Sequence, residues 1–169
     1  MKAASFDYVR VTSVEEACQA LADGGEDARI IAGGQTLVPL MAMRLARPTM
    51  LIDINDVTDL SGISLKKNYL AIKAITRQTD ALNSTTIQKR FPILTEALSH
   101  VGHTQTRNRG TVGGSLVNAD PAAELPLIAI MADAQLVAQS LSGIRQIAAA
   151  EFFESAMATT LSPNECLIE

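Results

Sequence analysis

The 169-residue sequence has no tryptophan, only 4% aromatic residues, and only two cysteines, Cys18 and Cys166. The cysteines stand far apart and form no CxxC pair, which excludes an iron–sulfur cluster or a structural zinc site built from this chain. His100 and His103 are three apart and could share a helical face, but no third ligand lies near them, so no metal site is expected. Charge is also sparse, at 19% of residues with a formal net charge of -4. No basic stripe exists that could neutralise several phosphates of a duplex, so nucleic acid is not an expected partner. No run approaches the roughly 18 apolar residues of a membrane span. The first residues lack the long apolar stretch of a secretory signal, which leaves the cytoplasm as the expected location. With few aromatics, the core must be largely aliphatic.

What is present suits one domain, or two small lobes sharing one core. Hydrophobic residues make up 47% of the chain, an ordinary globular share. Ser13 with Glu16 three residues on, and Val14, Ala17 and Leu21 at helical spacing, predict a helix that Gly24 and Gly25 stop. Arg29 to Ala32 reads as a strand, Val38 to Leu45 as a helix with Pro39 in its first turn, and Met50 to Asn55 as a second strand. This compact parallel unit ends near Asp56. Beyond it, Ser64–Lys66 and Tyr69–Ile75 read as a hairpin turning at Lys67 and Asn68. Helices are expected at Thr76–Asn83, at Phe91–Val101, in the apolar run from Ala122 to Met131, and at Glu151–Ala156. Short strands are expected at Gln135–Ala138 and Arg145–Ala148, with a last one beginning in "ECLIE". Met41, Met43, Met50 and Met131 read as core filling.

Two glycine pairs stand out. "AGGQT", residues 32–36, lies between a predicted strand and helix, and "TVGGS", residues 111–115, lies in the second half. Glycine lets backbone turn tightly and approach a ligand closely, and successive exposed N–H groups can surround a phosphate. Gln35 and Thr36 add side-chain donors. Neither stretch is a Walker motif or a GxGxxG fingerprint. Each alone also fits a plain connection between elements, but two cradles on different lobes suit one long ligand carrying a pyrophosphate. Asn118, Asp120 and Glu124 follow the second pair, and carboxylates accept hydrogen bonds well from sugar or polyol hydroxyls. Asp120 equally fits a helix N-cap before Pro121, with Glu124 in the first turn. Arg107 and Arg109 read either as phosphate or partner contacts or as a solvated loop. Ser115 has no histidine and acid arrangement, and "TVGGS" is not a nucleophile elbow. Asp53, Asp56 and Asp59 read as surface or capping groups, so no catalytic side chain is expected.

"AGGQTLVPLMAMRLARPTMLIDIND", residues 32–56, followed by "RNRGTVGGSLVNADPAAELP", residues 107–126, resembles the FAD-binding medium subunits of molybdenum hydroxylases. These are the flavoproteins of the carbon monoxide dehydrogenase and xanthine dehydrogenase family. The resemblance runs from "FDYVR", residues 6–10, to "AAAEFFESAMATTLSPNECLIE", residues 148–169. It implies an α+β fold: a two-lobed FAD-binding domain of the vanillyl-alcohol-oxidase (PCMH) type. A small parallel α/β lobe, residues 1–56, would be joined to a larger, mainly antiparallel α+β lobe, residues 57–169. It also implies FAD as cofactor. Ala32, Gly33, Gly34, Gln35, Thr36 and Leu37 would hold the pyrophosphate and nearby ribose. Thr111, Gly113, Gly114, Ser115 and Asn118 would clamp the dinucleotide from the other side. Asp120 and Glu124 match polar positions beyond that loop, with Glu124 near the ribityl hydroxyls.

The same resemblance implies partners: a large molybdenum-cofactor subunit that hydroxylates the organic substrate, and a small subunit with two [2Fe–2S] clusters that delivers electrons to FAD. The flavin would pass them to an external acceptor. Three departures accompany it. Family members usually continue through a further C-terminal domain that helps cover the flavin, and this sequence stops where that domain would begin, which fits a fragment, a split gene product whose domain comes from a separate chain, or a degenerate member. Lys73 stands where relatives commonly have glycine, and Ser115 where asparagine is frequent. The alternative implied is an FAD-fold remnant with weak or no flavin binding and a structural or assembly role.

Overall fold

The computed structural model describes residues 2–169. Three strands open the fold: β1 (Asp7–Arg10), β2 (Ala28–Ile31) and β3 (Met50–Asp53). They are parallel in the order β1-β3-β2, with Tyr8 and Arg29 both opposite Leu51. The sequence reading had no strand at β1. β3 is the central strand, and its apolar run fits a position covered on both faces; Leu51 and Ile52 are buried. Helix α1 (Val14–Gly24) crosses from β1 to β2 and buries Ala17, Cys18 and Leu21. Its cap is the expected one: Ser13 accepts from the Glu16 amide at 3.1 Å, while Glu16 accepts from the Thr12 amide at 2.7 Å. Helix α2 (Leu37–Ala42) joins β2 to β3 and stops short of the expected Leu45. Arg44 turns left-handed with φ 60, and the amides of Leu45 and Ala46 return to the Leu40 carbonyl.

The remaining chain alternates short helices with antiparallel strands. β4 (Ile63–Leu65) and β5 (Leu70–Ile72) form the expected hairpin. Six helices follow: α3 (Gln78–Asn83), α4 (Thr85–Arg90), α5 (Pro92–His100), α6 (Thr104–Arg109), α7 (Val112–Asn118) and α8 (Glu124–Met131). Of these, α4, α6 and α7 were not legible in the periodicity. β6 (Gln135–Ser140) and β7 (Gly143–Ala148) pair along their whole length, and β10 (Cys166–Leu167) joins the far edge of β6. The helix expected over Glu151–Ala156 is instead α9 (Ala149–Phe152) running into β8 (Phe153–Ser155), which pairs with β9 (Ala158–Thr159). Phe152 is fully buried and meets Phe153 edge to face, with ring centroids 5.1 Å apart. Two bulky neighbours anchored that way fit extended backbone better than a continuing helix.

Two aliphatic clusters fill the interior. One joins Leu94, Leu98, Leu116, Leu125, Leu136 and Phe152 under the helices. The other joins Leu21, Ile52, Ile54 and Leu60 to Ile75, Cys166 and Ile168 from much later in the chain. The parallel sheet is therefore closed by the C-terminal strand, and the Cys18 thiol donates to the Gln139 carbonyl at 3.3 Å. Burial pushes the Cys166 thiol up to about 12. Met41 is in the core, but Met43 and Met131 are exposed, which corrects the expectation that all four methionines are filling. They lie on the outward sides of α2 and α8. Among the described residues no helix is long and apolar enough to cross a membrane.

Candidate functional site

The first glycine pair forms the turn between β2 and α2. Gly34 is left-handed with φ 69, a conformation that glycine adopts without cost. Three successive carbonyls of this turn are held: Ala32 O accepts from Asn55 Nδ2 at 2.9 Å, Gly33 O from Gln35 Nε2 at 3.2 Å, and Gly34 O from the Val38 amide at 3.1 Å. The N–H groups of Gly33, Gly34, Gln35 and Thr36 donate to no acceptor among the described residues. Backbone donors are rarely left unpaired away from water. Four in succession, beside carbonyls that are tied back, leave donors of the kind that anion-binding concavities use. Gln35 and Thr36 are exposed, and Thr36 makes no side-chain cap to α2.

The second glycine pair is not a turn. Gly113 and Gly114 lie inside the first turn of α7, and Thr111 caps that helix by accepting from the Gly114 amide at 3.1 Å. The donors here are spent. Val112 N donates to Thr76 O at 3.0 Å, Gly113 N to Ala74 O at 2.8 Å, and Ser115 N to Thr111 O at 3.2 Å. Glycine is needed for packing: a Cβ at Gly113 would stand 2.7 Å from Ala74 Cβ and 2.8 Å from its carbonyl oxygen. A Cβ at Gly114 would stand 2.6 Å from Thr111 Oγ1 and displace the cap. What α7 still offers is side chains. Ser115 and Asn118 are three apart and so share a face. Both are partly exposed, and Asn118 Nδ2 reaches only the Met157 sulfur, at 3.9 Å.

The two regions touch. A Cβ at Gly33 would lie 2.3 Å from Arg109 O and 2.9 Å from the Gly110 Cα, the residues that lead into α7. Asn55 and Arg77, which sequence reasoning missed, span the junction. Arg77 donates to Asn55 Oδ1 at 2.6 Å and to Arg109 O at 2.5 Å. Gln78, also missed, is buried beside Gly110, and its Oε1 has no hydrogen-bond partner among the described residues. No local pattern marks these residues, because their partners lie 22 and 32 positions away.

The remaining sequence-predicted residues fall as follows. Asp120 does not cap α8, which starts at Glu124 after Ala123; its Oδ1 accepts from the Ala122 amide at 2.9 Å in a tight turn. Glu124 is the first residue of α8 and is partly exposed. Arg107 and Arg109 belong to α6 rather than a loop, and Arg107 donates to Val101 O at 2.8 Å and Gly102 O at 3.0 Å. Lys73 pairs with Glu169 at 2.9 Å. Asp56 pairs with Arg10 at 2.6 Å, and Asp53 accepts from Tyr8 and Asn55. His100 closes α5 and bonds Glu96 at 3.1 Å, while His103 precedes α6, so the two histidines do not share a helix. A cavity of about 810 Å³ opens beneath the β4–β5 hairpin over Leu94, Leu116 and Ile128; none of residues 32–37 lines it. Its floor is apolar, and its polar lining, Lys66, Lys67, Asn68 and Arg90 among it, comes from outside both glycine pairs.

A small parallel lobe against a larger antiparallel one, with a glycine turn at their junction, is the architecture of a PCMH-type FAD-binding domain. The chain belongs to the family described as the FAD binding domain in molybdopterin dehydrogenase, which matches residues 4–169. It is 49% identical over 169 residues to the 6-hydroxypseudooxynicotine dehydrogenase complex subunit alpha of Paenarthrobacter nicotinovorans, covering all of this chain and 57% of that one. Among solved structures it superposes on carbon monoxide dehydrogenase from Hydrogenophaga pseudoflava with a TM-score of 0.97 at 37% identity, covering 99% of this chain and 58% of that chain. On quinoline 2-oxidoreductase from Pseudomonas putida 86 the TM-score is 0.96 at 40% identity, covering 99% and 59%. The chain thus spans under two thirds of the length of these relatives.

Proposed function

We propose that this chain binds FAD at the junction of the Gly33–Gly34 turn and α7, and that it serves as the electron-transfer flavoprotein part of a molybdenum hydroxylase. The observation that carries the reading is the run of four unpaired N–H groups at residues 33–36. A pyrophosphate is a dianion with several acceptor oxygens, and charge-assisted bonds from fixed backbone donors suit it. Ala32, Gly33, Gly34, Gln35, Thr36 and Leu37 form that cradle. Thr111, Gly113, Gly114, Ser115 and Asn118 form the opposite wall. There Gly113 and Gly114 seat α7 against Ala74 and its Thr111 cap, and the hydroxyl of Ser115 and the amide of Asn118 supply the polar contacts that the spent α7 backbone does not. Asp120 and Glu124 are assigned to ribityl and ribose hydroxyls. FAD, when bound, supplies reversible electron transfer, and the protein supplies binding, orientation and electrostatics. No side chain of this chain is assigned a proton to move.

Residues 1–56 and 57–169 are taken as the two lobes, the first carrying the phosphate cradle and the second the other wall. The partners that fit are a large molybdenum-cofactor subunit and a small subunit with two [2Fe–2S] clusters. The cytoplasm is the proposed location. The test is titration of the purified 169-residue chain with FAD, followed by flavin absorbance and fluorescence. Saturable one-to-one binding that free ADP competes away is the expected result. A chain that is folded by circular dichroism yet takes up no FAD at high concentration overturns the reading and leaves a structural role.

A further inference from the structure

We propose that Asn55 and Arg77 form a latch across the lobe junction that sets the geometry of the phosphate cradle against α7, with Arg77 as its positioning residue. This rests on the flavin reading for its consequence, but the latch itself is read from contacts within the chain.

The contacts form one continuous path. Asp53 Oδ1 holds Asn55 through its amide at 2.9 Å and its Nδ2 at 2.6 Å. The same Nδ2 holds the Ala32 carbonyl at 2.9 Å. Asn55 Oδ1 accepts from Arg77 at 2.6 Å, and Arg77 reaches on to Arg109 O. That carbonyl oxygen is the atom nearest to the missing Cβ of Gly33, so the path returns to the turn it left. On its backbone Arg77 bridges Thr111, the cap of α7, and the neighbouring Gln78 amide donates to Gly110 O at 2.9 Å.

The chemistry explains why these residue types are used. Carbonyls beside an anion site would repel the ligand. Here Ala32 O and Arg109 O, one from each region, are each occupied by a donor of the latch. Arginine alone presents donors in a rigid fork that serves two acceptors at once; lysine brings a point charge on a flexible stem. Arg77 is half-buried, and no carboxylate among the described residues lies within 4.0 Å of it. Burial, then the nearby Arg109 charge, pulls its pKa below the usual arginine range, against the weaker opposing pull of the Asp80 and Asp53 charges. A desolvated cation without an ion-pair partner is costly, and a dianionic ligand at the adjacent turn offsets that cost through space.

The test compares Arg77→Lys, Arg77→Met, Asn55→Leu and Asn55→Asp in the 169-residue chain. Each is measured well below its own melting temperature. Losing a hydrogen bond to a charged group predicts roughly tenfold weaker FAD binding for Arg77→Lys and Asn55→Leu, and a larger loss for Arg77→Met. The Asn55→Leu/Arg77→Lys double variant should be far from additive, because both members serve one path. The visible circular dichroism of bound flavin should change in Arg77→Lys, which keeps the charge and loses the fork. Hydrogen exchange without FAD separates this inference from the flavin reading. Faster exchange at Val112–Gly114 in Asn55→Leu, or in Asn55→Asp if the first does not fold, supports the latch even if the wild-type chain binds no FAD. Unchanged exchange at α7 in a folded Asn55 variant overturns it, as does additive behaviour of the double variant.

Discussion

The two glycine pairs look alike in sequence and do opposite work. At Gly33–Gly34 the carbonyls are tied back and the N–H groups face outward without partners. At Gly113–Gly114 the N–H groups are spent on Ala74 and Thr111, and the missing side chains make room for Ala74 and for the Thr111 cap. One pair leaves its donors free, and the other lets a helix dock. A glycine doublet therefore says that backbone must come close to something. Only the fate of its amides says whether that something is a ligand or the rest of the chain.

The comparison breaks most visibly at Gly113. A Gly113→Ala variant gains helix propensity, but its Cβ would stand 2.7–2.9 Å from three atoms of Ala74, two of them backbone. Overpacking against backbone outweighs the propensity gain, so a net loss of about 2 kcal/mol is expected, or about 4–8 °C in Tm. Thermal unfolding monitored by circular dichroism checks it. An unchanged Tm would mean that α7 does not dock through this residue, and the contrast between the pairs would collapse.

Gly34 sharpens the comparison from the other side. A Cβ there meets only side-chain ends, Val38 at 3.1 Å and Ile31 at 3.4 Å, so packing costs little; the left-handed φ of 69 is what a side chain resists. Gly34→Ala should cost about 1–2 kcal/mol in stability, while FAD affinity falls roughly tenfold or more as the turn shifts its donors. Asn tolerates this conformation better than alanine, so Gly34→Asn should recover most of the stability. Equilibrium unfolding and FAD titration of both variants read the two effects apart. Equal losses of stability and affinity across all three glycine variants would show that the pairs do the same job.

How much of this was legible in the sequence follows from the same contrast. The first pair reads correctly as a turn because a short apolar strand precedes it and a proline-started helix follows. The second reads as a turn and is a helix, since two glycines are poor helix formers. Its helix is imposed by the Thr111 cap and by docking on Ala74, and only the cap is local. The hairpin at Lys67–Asn68 and the helix capped by Ser13 were legible for the same local reasons. β1 was missed because "DYVR" is half polar and becomes a strand only by pairing with β3. Asn55 and Arg77 escaped because each acts through a partner distant in sequence, and nothing in the spacing of asparagine or arginine announces such a bond; Gln78 escaped because only tertiary packing against Gly110 buries it.

The smallest expected effect falls on the anchor of the first region. Burial works to raise the Asp53 carboxyl, but hydrogen bonds from Tyr8 and from Asn55 outweigh it and hold the group below the usual aspartate range. A carboxyl depressed in the folded state contributes stability that is complete above its unfolded pKa, near 3.9, and is lost as pH falls through the lower folded value. From pH 7 down to about pH 5 this group should therefore change nothing. Below about pH 4 the hold on Asn55 should weaken, and with it the Ala32 carbonyl and the cradle. Glu165, held low first by its hydrogen bond to Arg145, loses its own contribution over a similar range in the second lobe. Melting temperature alone therefore does not separate the two regions. FAD affinity followed from pH 6 to pH 3.5 in wild type and in Asp53→Asn does. The variant keeps an oxygen that can accept from Asn55 and has no carboxyl to protonate, so its affinity should fall less steeply with acid. Parallel curves would mean that acid reaches the cradle by another route and that Asp53 is only a surface partner of Tyr8.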